Sequence, residues 1–234
     1  MCASYMKRCL LLVFATIFGL VARAQVYPES EYAGTKYLED QFYVGVGYNF
    51  LVEKPKDVVQ RGLSYSLQAG FIRDIPLNKR RNVGFGLGAG YSVSSYYTNM
   101  VAAKEGDDIS YSIADLQDFK RSKLETHALE VPLEFRWRTS TDVTYKFWRV
   151  YGGVKVSYIF AKSYRRVNES GSDRFRNDDL QDLQYGAFLR FGYNTWNINI
   201  YYGLNSLLKD DVFLGNDTPI ELRPLKVGLI FYIL

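Results

Sequence analysis

The sequence of 234 residues contains only two cysteines, one histidine and three methionines. Both cysteines, Cys2 and Cys9, lie near the N-terminus, so the rest of the chain has no disulfide, thiolate nucleophile or thiolate metal site. Beyond the first two dozen residues, no apolar run approaches the roughly 18 residues of a transmembrane helix, which excludes a helical membrane bundle. The composition, 47% apolar and 23% charged, excludes a disordered or collagen-like chain.

The N-terminal segment has the order of a secretory signal peptide. Lys7 and Arg8 precede an apolar stretch, and Ala22-Arg23-Ala24 forms a small-residue cleavage site before Gln25. Cleavage there leaves 26 of the 29 bases against 25 acids, so electrostatics give no reason to expect nucleic acid as a partner. Whether translation starts at Met1 or Met6, the expected organisation is a signal peptide at 1–24, a periplasmic N-terminal arm at 25–40 and one main domain at 41–234.

Alternation of apolar and polar residues dominates the chain after the arm. Its clearest run, Val83 to Tyr91, has apolar residues at odd positions and glycine at even positions, which is typical of a strand. Seven further runs share this period, whereas the best helix candidate, Asp115 to Lys123, is short and highly charged. The eight expected strands are Gln41–Phe50, Leu63–Ile72, Val83–Tyr91, His127–Arg138, Phe147–Phe160, Gln184–Tyr193, Trp196–Asn205 and Leu225–Leu234.

Long and short connections alternate between these strands. The short ones lie near 75–82, 139–146 and 194–195, and the long polar ones lie at 51–62, 98–123, 161–183 and 206–224. Outer-membrane barrels have this asymmetry, with short periplasmic turns and long extracellular loops. An even number of strands also places both chain termini of the barrel domain on the periplasmic side.

The polar faces of the strands favour a membrane barrel. In a soluble barrel the apolar residues fill the interior, whereas in a membrane barrel they face lipid. The polar faces here combine glycines, amides and opposite charges, which suits a narrow lumen filled by side chains. We therefore predict an all-β fold, an eight-stranded antiparallel up-and-down transmembrane β-barrel in the outer membrane of a Gram-negative bacterium. A soluble secreted barrel that binds a small apolar ligand is the alternative.

Several charged residues have the parity of the lumen. We expect Glu130 and Glu134 to pair with neighbouring guanidinium groups, because a buried charge without a partner is costly, and the other bases to reach water at the barrel ends. These charges would fill the lumen, and a gated path that favours anions is the alternative. The expected lumenal charge network is Glu130, Glu134, Arg136, Arg138, Arg149, Lys155, Arg190 and Lys226.

Aromatic and basic residues mark the two ends of the predicted barrel. Trp137, Trp148 and Trp196 all fall on the apolar face at the periplasmic end, as an interfacial aromatic girdle requires. In the third long connection, basic residues accompany aromatic ones, and arginine pairs bidentately with phosphate. The residues that would contact lipopolysaccharide are Arg165, Arg166, Arg174 and Arg176, and the alternative is an ordinary solvated loop.

Motifs for chemistry are missing. The glycines from Gly84 to Gly90 lack the third fingerprint glycine, the P-loop lysine and a following helix, so they do not indicate a nucleotide site. A single histidine and carboxylates without calcium-loop spacing give no metal site. His127 is the only imidazole, and Leu129 stands where lipid-A hydrolases of this size place a serine. We expect no catalysis, no cofactor and no metal.

The chain resembles the PorT-like small outer-membrane β-barrels of Bacteroidetes. The resemblance is carried by the junction after Ala24, the glycine-rich third strand, the segment Phe71-Ile72-Arg73-Asp74-Ile75-Pro76-Leu77 and the segment Leu129-Glu130-Val131-Pro132-Leu133. It implies an integral outer-membrane barrel with a structural or accessory role, in contact with membrane lipid and lipopolysaccharide. The alternatives are a partner-binding subunit of a secretion or surface complex, as in type IX secretion, and a lipid-A-modifying enzyme.

Overall fold

The computed structural model describes residues 40–78, 80–106, 108–114, 121–139, 147–168, 171–215 and 218–233. The expected signal peptide, and the expected arm except Asp40, lie outside these ranges. Residues 115–120 of the helix candidate also lie outside them, and its last residues, 121–123, belong to a strand. In the described part of the chain, no helix is long and apolar enough to cross a membrane.

Strands account for the secondary structure of the described residues. Their alternating burial follows the alternating sequence, because successive side chains of a strand point to opposite faces. They are β1 (Asp40–Glu53), β2 (Tyr65–Pro76), β3 (Val83–Tyr97), β4 (Met100–Glu105), β5 (Asp108–Ile113), β6 (Arg121–Arg138), β7 (Trp148–Asn168), β8 (Gly171–Arg176), β9 (Leu183–Tyr193), β10 (Trp196–Gly203) and β11 (Arg223–Ile233).

Eight of these strands form a closed antiparallel barrel in the order β6-β3-β2-β1-β11-β10-β9-β7, and pairing of β6 with β7 closes the ring. Closure pairs the first strand of the chain with the last, from Phe42 opposite Ile233 to Glu53 opposite Arg223. Because the ring is closed, these eight strands leave no unpaired edge in the membrane. The predicted eight-stranded up-and-down barrel is confirmed.

The two ends of the barrel differ. The short connections β2–β3, β6–β7 and β9–β10 lie at one end, here called the short-turn end, and the four long ones lie at the other, the long-loop end. At the long-loop end, β3, β6 and β7 continue well past the predicted limits Tyr91, His127 and Phe160. Backbone pairing continues there after the apolar alternation stops, so the sequence pattern made these three strands too short.

Two of the predicted loops therefore contain strands. β4 and β5 form a separate hairpin within the second long connection, and β8 pairs with the extended part of β7. Gly106 occupies the turn between β4 and β5 with a positive φ of 65°, a conformation that glycine adopts at no steric cost. Because β8 pairs with the extended part of β7, the third long connection is mostly a β-hairpin and not an irregular loop.

Apolar side chains cover the outside of the barrel and charged ones fill its inside. Phe42, Leu129 and Trp196 are 61%, 55% and 64% exposed, whereas the inward Glu134 and Arg136 are 1% and 0% exposed. Soluble monomers do not expose a continuous apolar surface that surrounds the molecule. The soluble-barrel alternative requires the opposite arrangement, so the structure does not fit it.

The three tryptophans lie on the outward face at the short-turn end. Trp148 and Trp196 both stand opposite Tyr193 in the strand register, and Trp196 contacts the ring of Phe231 at 5.4 Å between centroids. This aromatic row crosses four neighbouring strands. Trp137, at the end of β6, is outward and 42% exposed at the same end.

The largest apolar core lies at the long-loop end and not in the middle of the barrel. Residues of all four long connections pack there against the inward side chains of extended barrel strands. We call this cluster the long-loop core: Leu51, Val58, Tyr96, Met100, Ala102, Tyr111, Leu124, Tyr164, Leu180, Leu207, Leu208, Val212, Leu214, Ile220 and Leu222. A smaller group inside the barrel joins Tyr43, Ile72 and Ile230.

Candidate functional site

The inward side chains of five barrel strands bring charged groups together in the middle of the barrel. All eight residues of the expected set have inward parity, and seven of them are less than 9% exposed. The structure adds Asp74 from β2, so the set contains three acids and six bases. We use the name lumenal charge network for Asp74, Glu130, Glu134, Arg136, Arg138, Arg149, Lys155, Arg190 and Lys226.

Glu134 of β6 is the centre of the larger half of this network. Its Oε1 accepts a hydrogen bond from Arg136 Nε at 2.7 Å, and its Oε2 accepts one from Arg190 Nη1 at 2.6 Å. Arg136 also contacts Asp74 at 3.2 Å, and the same aspartate accepts a hydrogen bond from Arg138. The carboxylates thus link β2, β6 and β9 across the lumen, in a region where each charge needs its partners.

Glu130 belongs to a second, smaller group. Both of its carboxylate oxygens accept hydrogen bonds from Lys155 Nζ at 2.9 Å. The partner of Glu130 is therefore an ammonium group, where the sequence led us to expect a guanidinium. Lys226 Nζ, from β11, donates to Ser94 Oγ at 2.8 Å, and Lys155 and Lys226 both lie over the ring of Tyr201.

Aromatic rings stabilise the excess of positive charge. Arg149 lies 4.7 Å from the ring centroid of Phe147 and 5.4 Å from that of Tyr232. Arg136 lies 4.9 Å from the ring centroid of Tyr151. A cation over an aromatic face is attracted by the ring quadrupole, and the attraction grows when water is excluded. The lumen therefore combines ion pairs with cation–π contacts.

Little space remains between these side chains. A cavity beside Glu130, Lys155 and Lys226 has a volume of about 10 Å³, which is about the room that one water molecule needs. An eight-stranded barrel is narrow enough for its side chains to fill the interior. The described part of the lumen thus has the geometry of a plug.

Asp74 is the member of the network that the sequence prediction missed. The second strand was expected to end at Ile72, but β2 continues to Pro76, so Asp74 has the same inward parity as Ile72 and Gln68. The charged pair Arg73-Asp74 interrupts the apolar alternation, which concealed the end of the strand. Continuing the parity by two residues would have found this carboxylate.

His127 lies on the outward face near the long-loop end. Its Nδ1 is 2.5 Å from the hydroxyl of Tyr91, and its Nε2 is 3.7 Å from the carboxylate of Glu125. The ring also packs near Phe160, with 6.4 Å between centroids. These neighbours place the imidazole at the upper limit of the apolar surface.

The four arginines of the expected lipopolysaccharide contact fall on two faces of the β7–β8 hairpin. Arg165 and Arg174 are opposite each other on the outward face, and Arg176 shares that face. Arg166 points to the other face and donates a hydrogen bond to Asp173 at 2.8 Å. Arg176 donates to Asp178 at 2.6 Å. The structure therefore brings three of the four to one surface.

Metal-binding geometry is missing from the described ranges, which contain no group of three or more His, Cys, Asp or Glu residues that could hold an ion. The expectations of no metal, no cofactor and no catalysis stay predictions.

The closed ring of strands, the apolar exterior and the charged, filled lumen together define an integral membrane β-barrel.

The chain belongs to the family of outer membrane proteins with the outer membrane protein beta-barrel domain, whose model matches residues 23–209. Its location is therefore the outer membrane. A comparison with curated proteins finds no match.

Two similar solved structures are crystal structures of Ail, the attachment invasion locus protein of Yersinia pestis, one of them in complex with the heparin analogue sucrose octasulfate. They are 13% and 14% identical, and each match covers 82% of this chain and 98% of that chain with a TM-score of 0.33. This likeness is too remote to support an argument about function.

Proposed function

We propose that this protein is a non-conducting outer-membrane barrel with a structural or accessory role, and that it acts through the folded surface at its long-loop end. The observation that carries the proposal is the long-loop core. Four long connections pack against one another and against extended strands, which passive loops do not need to do. A surface held rigidly by its own core is suited to contact a partner.

The lumen supports the non-conducting part of the proposal. Glu134 binds two arginines, Glu130 binds Lys155, and the space beside the second pair holds about one water molecule. Movement of an ion through this region requires several buried ion pairs to separate, and each separation leaves buried charges without partners. The gated anion path is therefore the weaker interpretation.

The finer assignments belong to the same proposal. We place the protein with the PorT-like barrels, exported by a cleaved signal peptide, with the long-loop end at the cell surface and its tryptophans on the periplasmic side. A role as a partner-binding subunit of a secretion or surface complex is one form of the accessory role. A lipid-A-modifying activity has less support, because Leu129 stands two residues after His127, where such an enzyme carries its serine nucleophile.

Two measurements test this proposal. In planar lipid bilayers the purified protein should give no lasting channel openings, and stable conductance would contradict the filled lumen. An epitope tag inserted after Gly106, where the β4–β5 turn is open, should be labelled by antibody on intact cells. A tag after Asn78, in the β2–β3 turn at the short-turn end, should be labelled only after permeabilisation. The reverse labelling would contradict the orientation.

A further inference from the structure

One cross-strand row at the long-loop end consists of three cations. Lys123 of β6 stands opposite Arg165 of β7, and Arg165 stands opposite Arg174 of β8. Like charges directly opposite each other destabilise a sheet. Among the described residues, Lys123 has the carboxylate of Glu125 as a partner, whereas Arg165 and Arg174 have no carboxylate within ion-pair distance. We call these three residues the cationic row.

The cationic row lies on the same face as the apolar exterior. Arg165 is exposed while Tyr164, its neighbour in the chain, is buried in the long-loop core. The outward side chains of β7 are apolar or aromatic from Trp148 to Phe160, and Ala161 and Ser163 lie between Phe160 and Arg165. The row thus lies above the lipid-facing surface, on the side away from the short-turn end.

The length of β7 places the row just beyond the membrane core. From Trp148 to Phe160 the strand covers about 40 Å at about 3.3 Å per residue, which is about 30 Å along the membrane normal at a tilt of about 40°. The apolar band of such barrels is about 25 Å tall, so Phe160 marks its upper limit. Arg165, five residues further, lies about 10 to 15 Å higher by the same rise and tilt, above the hydrocarbon core and on the outer side of the headgroup region.

A groove opens on this face between the membrane and the cationic row. It has a volume of about 410 Å³, and its lining includes His127, Arg174 and Arg176. The ion pair of Arg176 with Asp178 is exposed, and exposed pairs contribute little, so this arginine can exchange its partner. The groove therefore offers cationic side chains directly above aromatic ones.

We infer that this surface, formed by His127, Arg176 and the cationic row, binds the phosphate groups of a lipopolysaccharide-type glycolipid in the outer leaflet. A phosphate accepts paired hydrogen bonds from guanidinium groups and relieves the repulsion within the row. The apolar continuation below the row would contact the acyl chains of the same molecule, which favours a lipid over a soluble anion. The inference rests on the proposed orientation, with the long-loop end outside the cell. Arg166 is not part of this surface, because it points to the other face of the hairpin.

The test is a titration of the purified full-length protein in detergent micelles with fluorescently labelled lipopolysaccharide. The double variant Arg165→Gln/Arg174→Gln should raise the Kd at least tenfold, a change of about 1.4 kcal/mol. Arg73→Gln/Arg80→Gln removes the same charge at the short-turn end and should bind like the wild type. Heat-modifiable migration on gels shows that each variant is folded.

Other ligands separate the possible sources of phosphate. Dephosphorylated lipopolysaccharide should bind at least tenfold more weakly than the intact form, and phosphatidylglycerol or inorganic phosphate should compete poorly. Equal binding by the Arg165/Arg174 variant, equal binding of the dephosphorylated form, or full displacement by either competitor would overturn the inference. Because binding in micelles requires neither cell-surface orientation nor conductance, its failure is distinct from failure of the proposed function.

Discussion

Replacement of Glu134 by glutamine tests the energetic importance of the lumenal charge network. The carboxylate binds Arg136 at 2.7 Å and Arg190 at 2.6 Å, and all three side chains are at most 2% exposed. Glutamine keeps one acceptor oxygen, so one guanidinium loses a charged hydrogen bond worth about 1.5–3 kcal/mol. The lumen, with three acids and six bases, also gains positive charge. We expect the free energy of unfolding to fall by about 3–5 kcal/mol, as when one partner of a buried ion pair is removed.

Glu53 supplies the matched control. Like Glu134, Glu53 has two side-chain partners, which are Arg223 at 2.9 Å and Tyr202 at 3.1 Å. Its ion pair with Arg223, however, is partly exposed. Glu53→Gln should therefore cost about 0–1 kcal/mol. Urea unfolding in lipid vesicles, followed by tryptophan fluorescence, measures both variants. If the free energy of unfolding of Glu134→Gln lies within about 1 kcal/mol of the wild-type value, the buried ion pairs of Glu134 do not stabilise the barrel.

Three further predictions concern other parts of the barrel. The three tryptophans should be quenched more strongly by lipids brominated near the headgroup than by lipids brominated at the chain ends, since they lie at the interface; the opposite order would contradict their placement. Gly153→Ala should destabilise the barrel by about 1–3 kcal/mol, because the new Cβ would lie 2.1 Å from the carbonyl oxygen of Leu133. Gels should therefore show less heat-modifiable, folded protein. In the control Gly152→Ala the nearest atom to the new Cβ is 3.7 Å away, so this variant should fold normally. Burial raises the pKa of Tyr111, so its stabilising contribution to the long-loop core is present at neutral pH and is lost as pH rises above about 10. Protease cleavage of the long loops should increase there, and less steeply in Tyr111→Phe; equal pH profiles would refute the assignment.

Much of the barrel could be predicted because a lipid-facing strand must alternate. Every apolar position on the outside of β6, from Leu129 to Trp137, alternates with a polar or small position inside, and this pattern gave the strand count, the connections and the inward charges. The same pattern could not predict β4, β5 or β8. These strands have no lipid to face, so their pairing depends on tertiary contacts that a single sequence does not show.

The partners of the lumenal charges were also beyond the sequence. Parity shows that Glu130 and Glu134 point inward, but the choice of Lys155 for one and of Arg190 for the other depends on the register between strands. Register follows from the packing of the whole ring, including the position of the bulge between His127 and Ala128. Local alternation therefore predicts the face of a residue and leaves its neighbour across the barrel undetermined.

β7 is one continuous strand that changes partners along its length. Its lower part pairs with β9 and its upper part with β8, while β6 pairs with it along both parts. A force applied to β8 would therefore reach the membrane-spanning part of β7 through the same strand, across the bulge opposite His127 and Ala128. The load would act along the strand and be shared in shear by the hydrogen bonds to β6.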